Sequence, residues 1–318
     1  MKNLTSICCL LISFISYGQN INIPDQAFLT SLIKAGIDKN NDGQIQISEA
    51  IIVKNLNLSN KNITNLTGIE EFTALEYFYC PLNKLTSIDI TKNVSLKEFS
   101  CANNTITSLD VTKNTGLFLL NCGNNLLTTL DVSKNSSLGT IICNTNKITS
   151  LNLRYGVNLA QLDCRFNQLT ELDVSHGRVI DLDCSNNQIT SLNLGNFNVP
   201  LWIDCSNNKL SYLNVAAITS LEQLYCTNNP NLSKICVNSS QLNLTITEVN
   251  HWKKDKSASW VTVCSTSSAE LSNNKTPTLI HIYSILGQEI TTEQLENGIY
   301  IYYYNDGTFR RIWKEESR

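Results

Sequence analysis

The chain has 318 residues, of which 42% are hydrophobic and 16% are charged, and its formal net charge is −3. This balance excludes capture of nucleic acid by a basic surface, and only three His argue against a zinc enzyme or a His-dependent triad. Asn occurs 42 times, far above ordinary usage, and the spacing of the twelve Cys decides whether they form disulfides, hold metal or do neither.

Residues 1–18 have the pattern of a secretory signal peptide. Lys2 precedes an apolar run from Ile7 to Ile15, and Gly18 stands before a polar continuation. The run is too short for a permanent membrane helix, and no other segment approaches the ~18 apolar residues that one needs. Lipidation of Cys8 or Cys9 is not favoured, because a lipidated Cys follows the apolar run. The sequence predicts an exported protein, extracellular or on the outer cell surface, without a transmembrane segment.

Residues 19–55 form the predicted N-terminal cap. Apolar residues at helical spacing follow Asp25 and predict a short helix. The next segment, from position 38 to position 49, resembles the calcium loop of the EF-hand family at every diagnostic position, including a Gly at its sixth residue. The resemblance implies Ca²⁺ as cofactor, held by side-chain oxygens of Asp38, Asn40, Asp42 and Glu49, the carbonyl of Gln44 and a water on Gln46.

The calcium loop has only three carboxylates, and no second loop follows it to form the usual pair. The implied affinity is therefore that of extracellular modules, with a Kd of about 10⁻⁴ to 10⁻³ M. An alternative is a loop that folds without metal as part of the cap. If the ion binds, its role is to order the cap and not to act as a switch.

Residues 56–233 are organised by a fixed period. Cys recurs every 21 residues, with one spacing of 20, at Cys80, Cys101, Cys122, Cys143, Cys164, Cys184, Cys205 and Cys226. Such a period predicts a solenoid, in which each turn buries its apolar face against its neighbours. The repeat L-x-x-L-x-C-x-x-N-x-L-T-x-L-D-V resembles the leucine-rich repeat family, with Cys in place of the third apolar strand residue. The resemblance implies a β-rich right-handed superhelix of about nine turns with a parallel concave sheet.

Two columns of the repeat have a predicted structural role. Asn stands three residues after every repeat Cys, where its amide can satisfy backbone groups as the chain leaves the strand. Neighbouring Cys on parallel strands point the same way about 4.8 Å apart, which is unfavourable for a disulfide. A line of thiols also offers no tetrahedral cage for a metal. The Cys column is therefore predicted to be a ladder of buried, free thiols that pack as small hydrophobes.

The last two cysteines, Cys236 and Cys264, break the period. They flank a segment with Trp252 and Trp260, at the place where the solenoid must cover its open apolar end. Residues 234–266 are therefore predicted to form a C-terminal cap stapled by a Cys236–Cys264 disulfide, followed by a linker at 267–278.

Residues 279–318 contain strand-like runs with the pieces IYSILGQEI and NGIYIYYY. These pieces resemble the C-terminal sorting domain of type IX secretion substrates of the Bacteroidota. The resemblance implies a small β-sandwich that engages the type IX secretion machinery. The usual upstream Tyr-Pro-Asn-Pro strand is absent, so the domain would be truncated; a degenerate remnant or a plain terminal β-domain are the alternatives.

The concave face is the predicted site of partner binding, because alternate strand residues point outward there. Its N-terminal half is aromatic and apolar, whereas its C-terminal half has a column of Asp whose mutual repulsion favours a basic ligand, a cation or a sugar. The alternative is a charged sheet face that only keeps the protein soluble. The candidate residues are Tyr77, Tyr79, Leu119, Ile142, Asp163, Arg165, Asp181, Asp183, Trp202, Asp204 and Tyr225.

These patterns predict a non-catalytic binding protein that recognises a protein or glycan, for adhesion or another surface interaction. A structural surface or matrix component without a specific ligand is the alternative. A carbohydrate-active enzyme is disfavoured, because an open sheet cannot raise the pKa of a catalytic acid, and no nucleophile triad, phosphate loop or HExxH motif is present.

Overall fold

The computed structural model describes residues 18–153, 159–195, 202–246 and 251–264, together with strands at 279–284, 289–290, 298–304 and 309–314. The chain divides into two compact units, Met1–Cys264 and Ser265–Arg318. The predicted signal peptide, apart from Gly18, and the predicted linker lie outside the described residues. No helix within the described ranges is long and apolar enough to cross a membrane.

The segment predicted to form the N-terminal cap contains helix α1, Gln26–Lys34, and the short helix α2, Ile47–Ala50. Asp25 caps α1, since its Oδ1 accepts a hydrogen bond from the Phe28 amide at 2.9 Å. Its Oδ2 accepts from the amides of Thr64 and Asn65 at 2.8 and 3.0 Å. One carboxylate therefore joins the cap helix to the first turn of the solenoid. Burial raises the pKa of Asp25, but the hydrogen bonds outweigh this effect and hold it below its usual value.

The main sheet is parallel and has ten strands, of which nine belong to the repeats and the last to the C-terminal cap. This architecture confirms the predicted solenoid of about nine turns. The strands are β1 Asn55–Asn57, β2 Tyr77–Tyr79, β3 Glu98–Ser100, β4 Leu119–Asn121, β5 Thr140–Ile142, β6 Gln161–Asp163, β8 Asp181–Asp183, β10 Trp202–Asp204, β12 Gln223–Cys226 and β14 Trp252–Lys254, paired in that order.

Two smaller parallel sheets form on the other side of the solenoid in its C-terminal half. One pairs β7, Glu171–Asp173, with β9, Ser191–Asn193. The other joins β11, Tyr212–Asn214, β13, Lys234–Cys236, and β15, Ser259–Val261, in chain order. In the N-terminal half, a 3-10 helix, Ile69–Glu71, lies between β1 and β2.

Each turn buries the same columns, and neighbouring turns complete one another's core. In the turn of β3, Leu96, Phe99 and Cys101 are fully buried. All eight repeat Cys are buried and unpaired. Burial raises their thiol pKa values, that of Cys226 to about 12, so the neutral form is maintained at physiological pH. The column therefore packs as small hydrophobes and has no thiolate character.

The Asn column connects successive turns. In one turn, the side-chain Nδ2 of Asn125 donates to the carbonyls of Cys101 and Cys122, both at 3.1 Å, and its Oδ1 accepts from the Ile106 amide at 3.0 Å. Equivalent bonds recur in the other repeats, for example at Asn146 and Asn208. The amide thus satisfies buried backbone groups of two neighbouring turns at once.

The single 20-residue spacing is absorbed away from the main sheet. The segment from Val174 to Val179 is one residue shorter than the equivalent segment from Val132 to Leu138. The strands themselves stay in register, with Asp163 opposite Asp183. A shorter turn therefore leaves the outward columns of the sheet aligned.

The C-terminal end of the solenoid is closed by a carboxylate and two indoles. Inside the solenoid, the amide of Asn103 donates to the next turn, at Gly123 O (2.9 Å). In the last turn, the amides of Asn228 and Asn229 donate to the Asp255 carboxylate at 2.9 and 2.8 Å. Asp255 therefore replaces the carbonyls of a missing turn.

Trp252 and Trp260 pack together over this end, with ring centroids 5.7 Å apart. Helix α3, Ser239–Ile246, follows β13. Cys236 and Cys264 are joined as a disulfide, with Cα atoms 5.3 Å apart. The closure thus combines an aromatic pair with a covalent link between β13 and the end of the unit.

The C-terminal unit contains one antiparallel sheet. Its strands are β16 Leu279–Ser284, β17 Glu289–Ile290, β18 Gly298–Tyr304 and β19 Phe309–Lys314, in the order β17-β16-β18-β19. The second sheet that a β-sandwich requires is not among the described residues, so the predicted sandwich reduces to a single four-stranded sheet there.

Candidate functional site

The outward side chains of the main sheet form a continuous surface, which we call the outer face. It consists of the first and third residues of the main-sheet strands β2, β3, β4, β5, β6, β8, β10 and β12. The middle residue between them is buried in each of these strands. Strand pairing arranges these residues in two columns. The first column is Tyr77, Glu98, Leu119, Thr140, Gln161, Asp181, Trp202 and Gln223, and the third-residue column is Tyr79, Ser100, Asn121, Ile142, Asp163, Asp183, Asp204 and Tyr225.

The structure therefore places ten of the eleven candidate partner-binding residues on one face. Arg165 is the exception, since it lies two residues beyond the end of β6, at the rim of the face. The candidates nevertheless separate by chemistry into two groups, which meet where Ile142 of β5 is paired with Asp163 of β6. An aromatic and apolar group lies on β2 to β5, and an acidic group with an aromatic end lies on β6 to β12.

In the N-terminal half of the outer face, the Tyr79 hydroxyl donates a hydrogen bond to the Glu98 carboxylate. This bond, together with burial and the negative charge, raises the pKa of Tyr79 to about 12. Tyr77, Leu119 and Ile142 complete the group and are only partly buried. The result is a half-exposed apolar surface with one oriented carboxylate.

The acidic column is formed by Asp163, Asp183 and Asp204, which face one another in consecutive strands. Arg165 partly neutralises it, because its Nη1 lies 3.3 Å from Asp183 Oδ2 and its Nε lies 3.5 Å from Asp163 Oδ1. Asp204 accepts a hydrogen bond from the Ser206 amide at 2.8 Å. One guanidinium thus serves two of the three carboxylates.

Two carboxylates of this column, those of Asp163 and Asp204, have raised pKa values. Burial raises the pKa of Asp163 in spite of Arg165, and burial likewise raises the pKa of Asp204 in spite of Ser206. In both cases the nearby Asp183 charge adds to the rise. A raised folded-state pKa contributes stability below the unfolded value near 3.8, and this contribution is lost as pH rises through the folded pKa. At neutral pH the ionised carboxylates of Asp163 and Asp204 therefore destabilise the fold.

The C-terminal end of the outer face is aromatic. Trp202 and Tyr225 have ring centroids 6.4 Å apart at an interplanar angle of 56°. Lys253 of β14 is paired with Tyr225, and its Nζ lies 5.6 Å from the Tyr225 ring centroid. The acidic column thus ends against two rings and one cation.

A column of left-handed backbone lies just beyond the strands, at the rim of the outer face. One residue in each Cys repeat has φ between 53° and 57°, and five of these eight are Asn. The three exceptions are Leu82, Thr145 and Phe166. Of these, Leu82 and Phe166 are large and apolar, and they are 56% and 52% exposed. Neither residue is among the candidate residues predicted from the sequence, although an apolar residue in a column dominated by Asn is visible from the period alone.

The predicted calcium loop has a turn that only certain residues tolerate, with Asn41 and Gly43 at φ 61° and 79°. Its carboxylates bind the loop's own amides. Asp38 accepts from the amides of Asn41 and Gly43, and Glu49 accepts from those of Lys39 and Gln46. Among the described residues, no three His, Cys, Asp or Glu side chains already form a metal cluster. The oxygen donors nevertheless suit Ca²⁺, as does the glycine turn.

No family model matches the chain, and no curated protein matches it. Among solved structures, it is similar to the functional domain of InlJ from Listeria monocytogenes, which includes a cysteine ladder: identity is 31%, the TM-score is 0.55, and the match covers 70% of this chain and 57% of that one. It is also similar to a leucine-rich repeat protein of Leptospira interrogans, at 22% identity and TM-score 0.52, covering 66% and 62%.

Internalin C2 from Listeria monocytogenes is a third match, at 17% identity and TM-score 0.53, covering 64% of this chain and 94% of that one. The match spans less than two thirds of the solved InlJ domain and of the solved chain of the Leptospira protein. Together these similarities show that the chain has a leucine-rich-repeat-like solenoid fold.

Proposed function

We propose that this chain is a non-catalytic binding protein that engages a partner protein through the outer face. The observation that carries the proposal is the acidic column, because Asp163, Asp183 and Asp204 face one another and the ionised forms of Asp163 and Asp204 oppose folding. Local arrangements that oppose stability are expected at functional sites. A partner that brings positive charge would relieve the repulsion.

Two further features support a binding role. The side chains of the outer face stand on strands whose middle residues are buried, so the surface is rigid before any partner arrives. Its half-exposed Tyr and Trp are the residue types that dominate protein interfaces. Solenoids of this fold commonly present one extended sheet for recognition.

The proposed setting is extracellular, and adhesion is the proposed use. The signal-peptide pattern of residues 1–18 and the likeness of residues 279–318 to sorting domains of the type IX secretion machinery support export. Both features are sequence patterns, and cell fractionation of the full chain tests them.

Neutralising the acidic column is expected to abolish binding and to stabilise the fold. The variant combines Asp163→Asn, Asp183→Asn and Asp204→Asn, and peptides are first selected on the full wild-type chain from a random twelve-residue display library. We expect the selected peptides to bind the variant at least about tenfold more weakly. We also expect the variant to melt at a higher temperature than wild type at pH 7. At a pH below the usual Asp pKa, the two melting temperatures should be equal.

The matched control changes three other aspartates, Asp89, Asp110 and Asp131, to Asn. These lie outside the outer face and accept local turn hydrogen bonds, which Asn can still accept. The control removes the same charge and should leave peptide affinity unchanged. If no peptide is enriched, or if both triple variants lose binding equally, the proposal is wrong and a structural role without a ligand is favoured.

A glycan is the second candidate ligand, because Trp202 and Tyr225 place two rings beside Asp204. Aromatic faces and carboxylates together suit sugar recognition. A glycan array on the same wild-type chain, with Trp202→Ala as the variant, distinguishes this outcome from peptide binding.

We further propose that the loop from Asp38 to Glu49 binds Ca²⁺ and thereby orders the N-terminal cap. Asp38, Asn40, Asp42 and Glu49 would supply side-chain oxygens, Gln44 a carbonyl and Gln46 a water-mediated contact. In the structure the carboxylates of Asp38 and Glu49 accept hydrogen bonds from the loop's own amides. The presence of only three carboxylates in the loop supports a Kd near the millimolar range.

Addition of about 5 mM Ca²⁺ to the full chain is expected to raise its melting temperature by about 3 °C, since a ligand that binds only the folded state stabilises it. Glu49→Gln keeps an oxygen that can accept from the Lys39 amide but loses the bidentate carboxylate. This variant should show no shift. An absent shift in the wild type, or an equal shift in Glu49→Gln, would contradict calcium binding.

A further inference from the structure

We infer that Leu82 and Phe166 are apolar anchors at the rim of the outer face, and that they fit a basic polypeptide segment with two apolar side chains about 19 Å apart. The inference rests on the proposed function and deepens it, because it names the contact residues and the chemistry of the partner.

Neither residue is explained by the stability of its own turn. Both have a left-handed backbone, with φ 57° at Leu82 and 54° at Phe166, which Asn tolerates and bulky side chains do not favour. The backbone is held there by the solenoid, since the Leu82 amide donates to Ala102 O and the Phe166 amide to Ser185 O, both at 3.0 Å. The conformation is thus imposed by the repeat, whatever the side chain.

Nor do the side chains gain burial in return. Leu82 is 56% exposed and Phe166 is 52% exposed, although both are large and apolar. Five of the eight equivalent positions are Asn, which satisfies the same backbone at lower strain. A residue that adds strain and leaves apolar surface in water is explained by a contact made outside the chain.

The charges near Phe166 define the partner. Asp181 lies on β8, the strand next to β6, and Asp204 lies on β10, one strand further. Arg165 pairs with Asp163 and Asp183. Four carboxylates thus lie in this half of the face, against the Arg165 guanidinium and the Lys253 cation at its β14 end. A segment with Lys or Arg side chains beside its apolar residue complements both the charge and the exposed ring.

The spacing sets the register of that segment. Leu82 follows β2 and Phe166 follows β6, so four strand steps separate them, about 19 Å. Six residues of extended chain cover this distance, at about 3.3 Å each. Residues six apart also project from the same side of an extended chain, so both can face the rim.

The test uses three synthetic twelve-residue peptides and the full chain. The first has two Leu six residues apart with Lys and Ser elsewhere, the second replaces Lys by Glu, and the third replaces Leu by Ser. Fluorescence anisotropy should show that the Lys/Leu peptide binds wild type most tightly. Leu82→Asn and Phe166→Asn should each weaken that binding about tenfold.

The same variants are expected to melt about 2 °C higher than wild type, because Asn relieves the left-handed strain. Val94→Asn is the matched control, since Val94 is 55% exposed and lies in a turn away from the outer face. Val94→Asn should change neither the peptide affinity nor the melting temperature, because Val94 does not have a left-handed backbone.

Each outcome decides a different statement. If wild type does not prefer the Lys/Leu peptide to the Glu/Leu peptide, the named partner chemistry is wrong, whereas the display selection judges binding by the outer face separately. If the Lys/Leu peptide binds wild type and both Asn variants with equal affinity, Leu82 and Phe166 are not anchors. The proposal that the outer face binds a partner is then unaffected. A lower melting temperature in the variants would show that Leu82 and Phe166 are packing residues, which also overturns the inference.

Discussion

Replacement of Asn125 by Ala is expected to lower the free energy of unfolding by about 3–4 kcal/mol. The change leaves the Ile106 amide and the carbonyls of Cys101 and Cys122 without the partners that Asn125 provides. These groups are buried between two turns, and each unsatisfied one costs about 1–3 kcal/mol. Urea denaturation of the full chain, followed by circular dichroism, measures the loss.

The neighbouring residue provides the control. Asn124 is exposed and left-handed, at φ 53°, so Asn124→Gly keeps the backbone and removes no buried partner. We expect it to cost less than about 0.5 kcal/mol. A second variant, Asn125→Asp, can still accept from Ile106 but cannot donate to the carbonyls, and it should be as destabilising as Ala. Equal stability of Asn125→Ala and Asn124→Gly would show that the Asn column does not link the turns.

Removal of the Cys236–Cys264 link is expected to destabilise the first unit by about 3 kcal/mol. The bond closes a chain segment with a sequence separation of 28 residues, so the unfolded chain gains entropy when it is lost. The variant carries Cys236→Ala and Cys264→Ala, and thermal unfolding without reductant measures the change. Addition of a reductant to the wild type should lower its melting temperature by a similar amount.

Cys143→Ala distinguishes the link from the ladder. This residue is buried and unpaired, so its replacement should cost less and should leave the effect of reductant unchanged. Thiol titration of the denatured chain without its first 18 residues should find the eight ladder thiols before reduction and two more after it. A count of ten before reduction, or a melting temperature that does not respond to reductant, would contradict the disulfide.

The sequence predicted the repeated part of the fold closely. The 21-residue period located the parallel strands, and the eight repeat Cys are buried and unpaired. Each turn contacts chiefly its neighbours, so a local pattern repeated at a fixed spacing is enough to define strand, turn and core columns. The same reasoning anticipated that Asn83 and its equivalents would satisfy backbone groups.

The ends of the solenoid were less predictable, because no repeat describes them. Asp25 was expected to cap a helix, but its second role, accepting from the Thr64 and Asn65 amides, depends on a contact across about 40 residues of chain. Asp255 was not singled out at all, although it accepts from the last two amides of the ladder. An end is completed by whichever residue the chain brings back to it.

Composition and period determined from the sequence alone that this chain contains a solenoid, that its eight repeat Cys are a packing column and that the Asn of each repeat hold its turns. Only the tertiary structure showed that Arg165 bridges Asp163 and Asp183, and that Leu82 and Phe166 remain exposed on a left-handed backbone. The physical reason is that a repeat specifies which face each column occupies, whereas charge pairing and exposure depend on side chains that meet across strands about twenty residues apart.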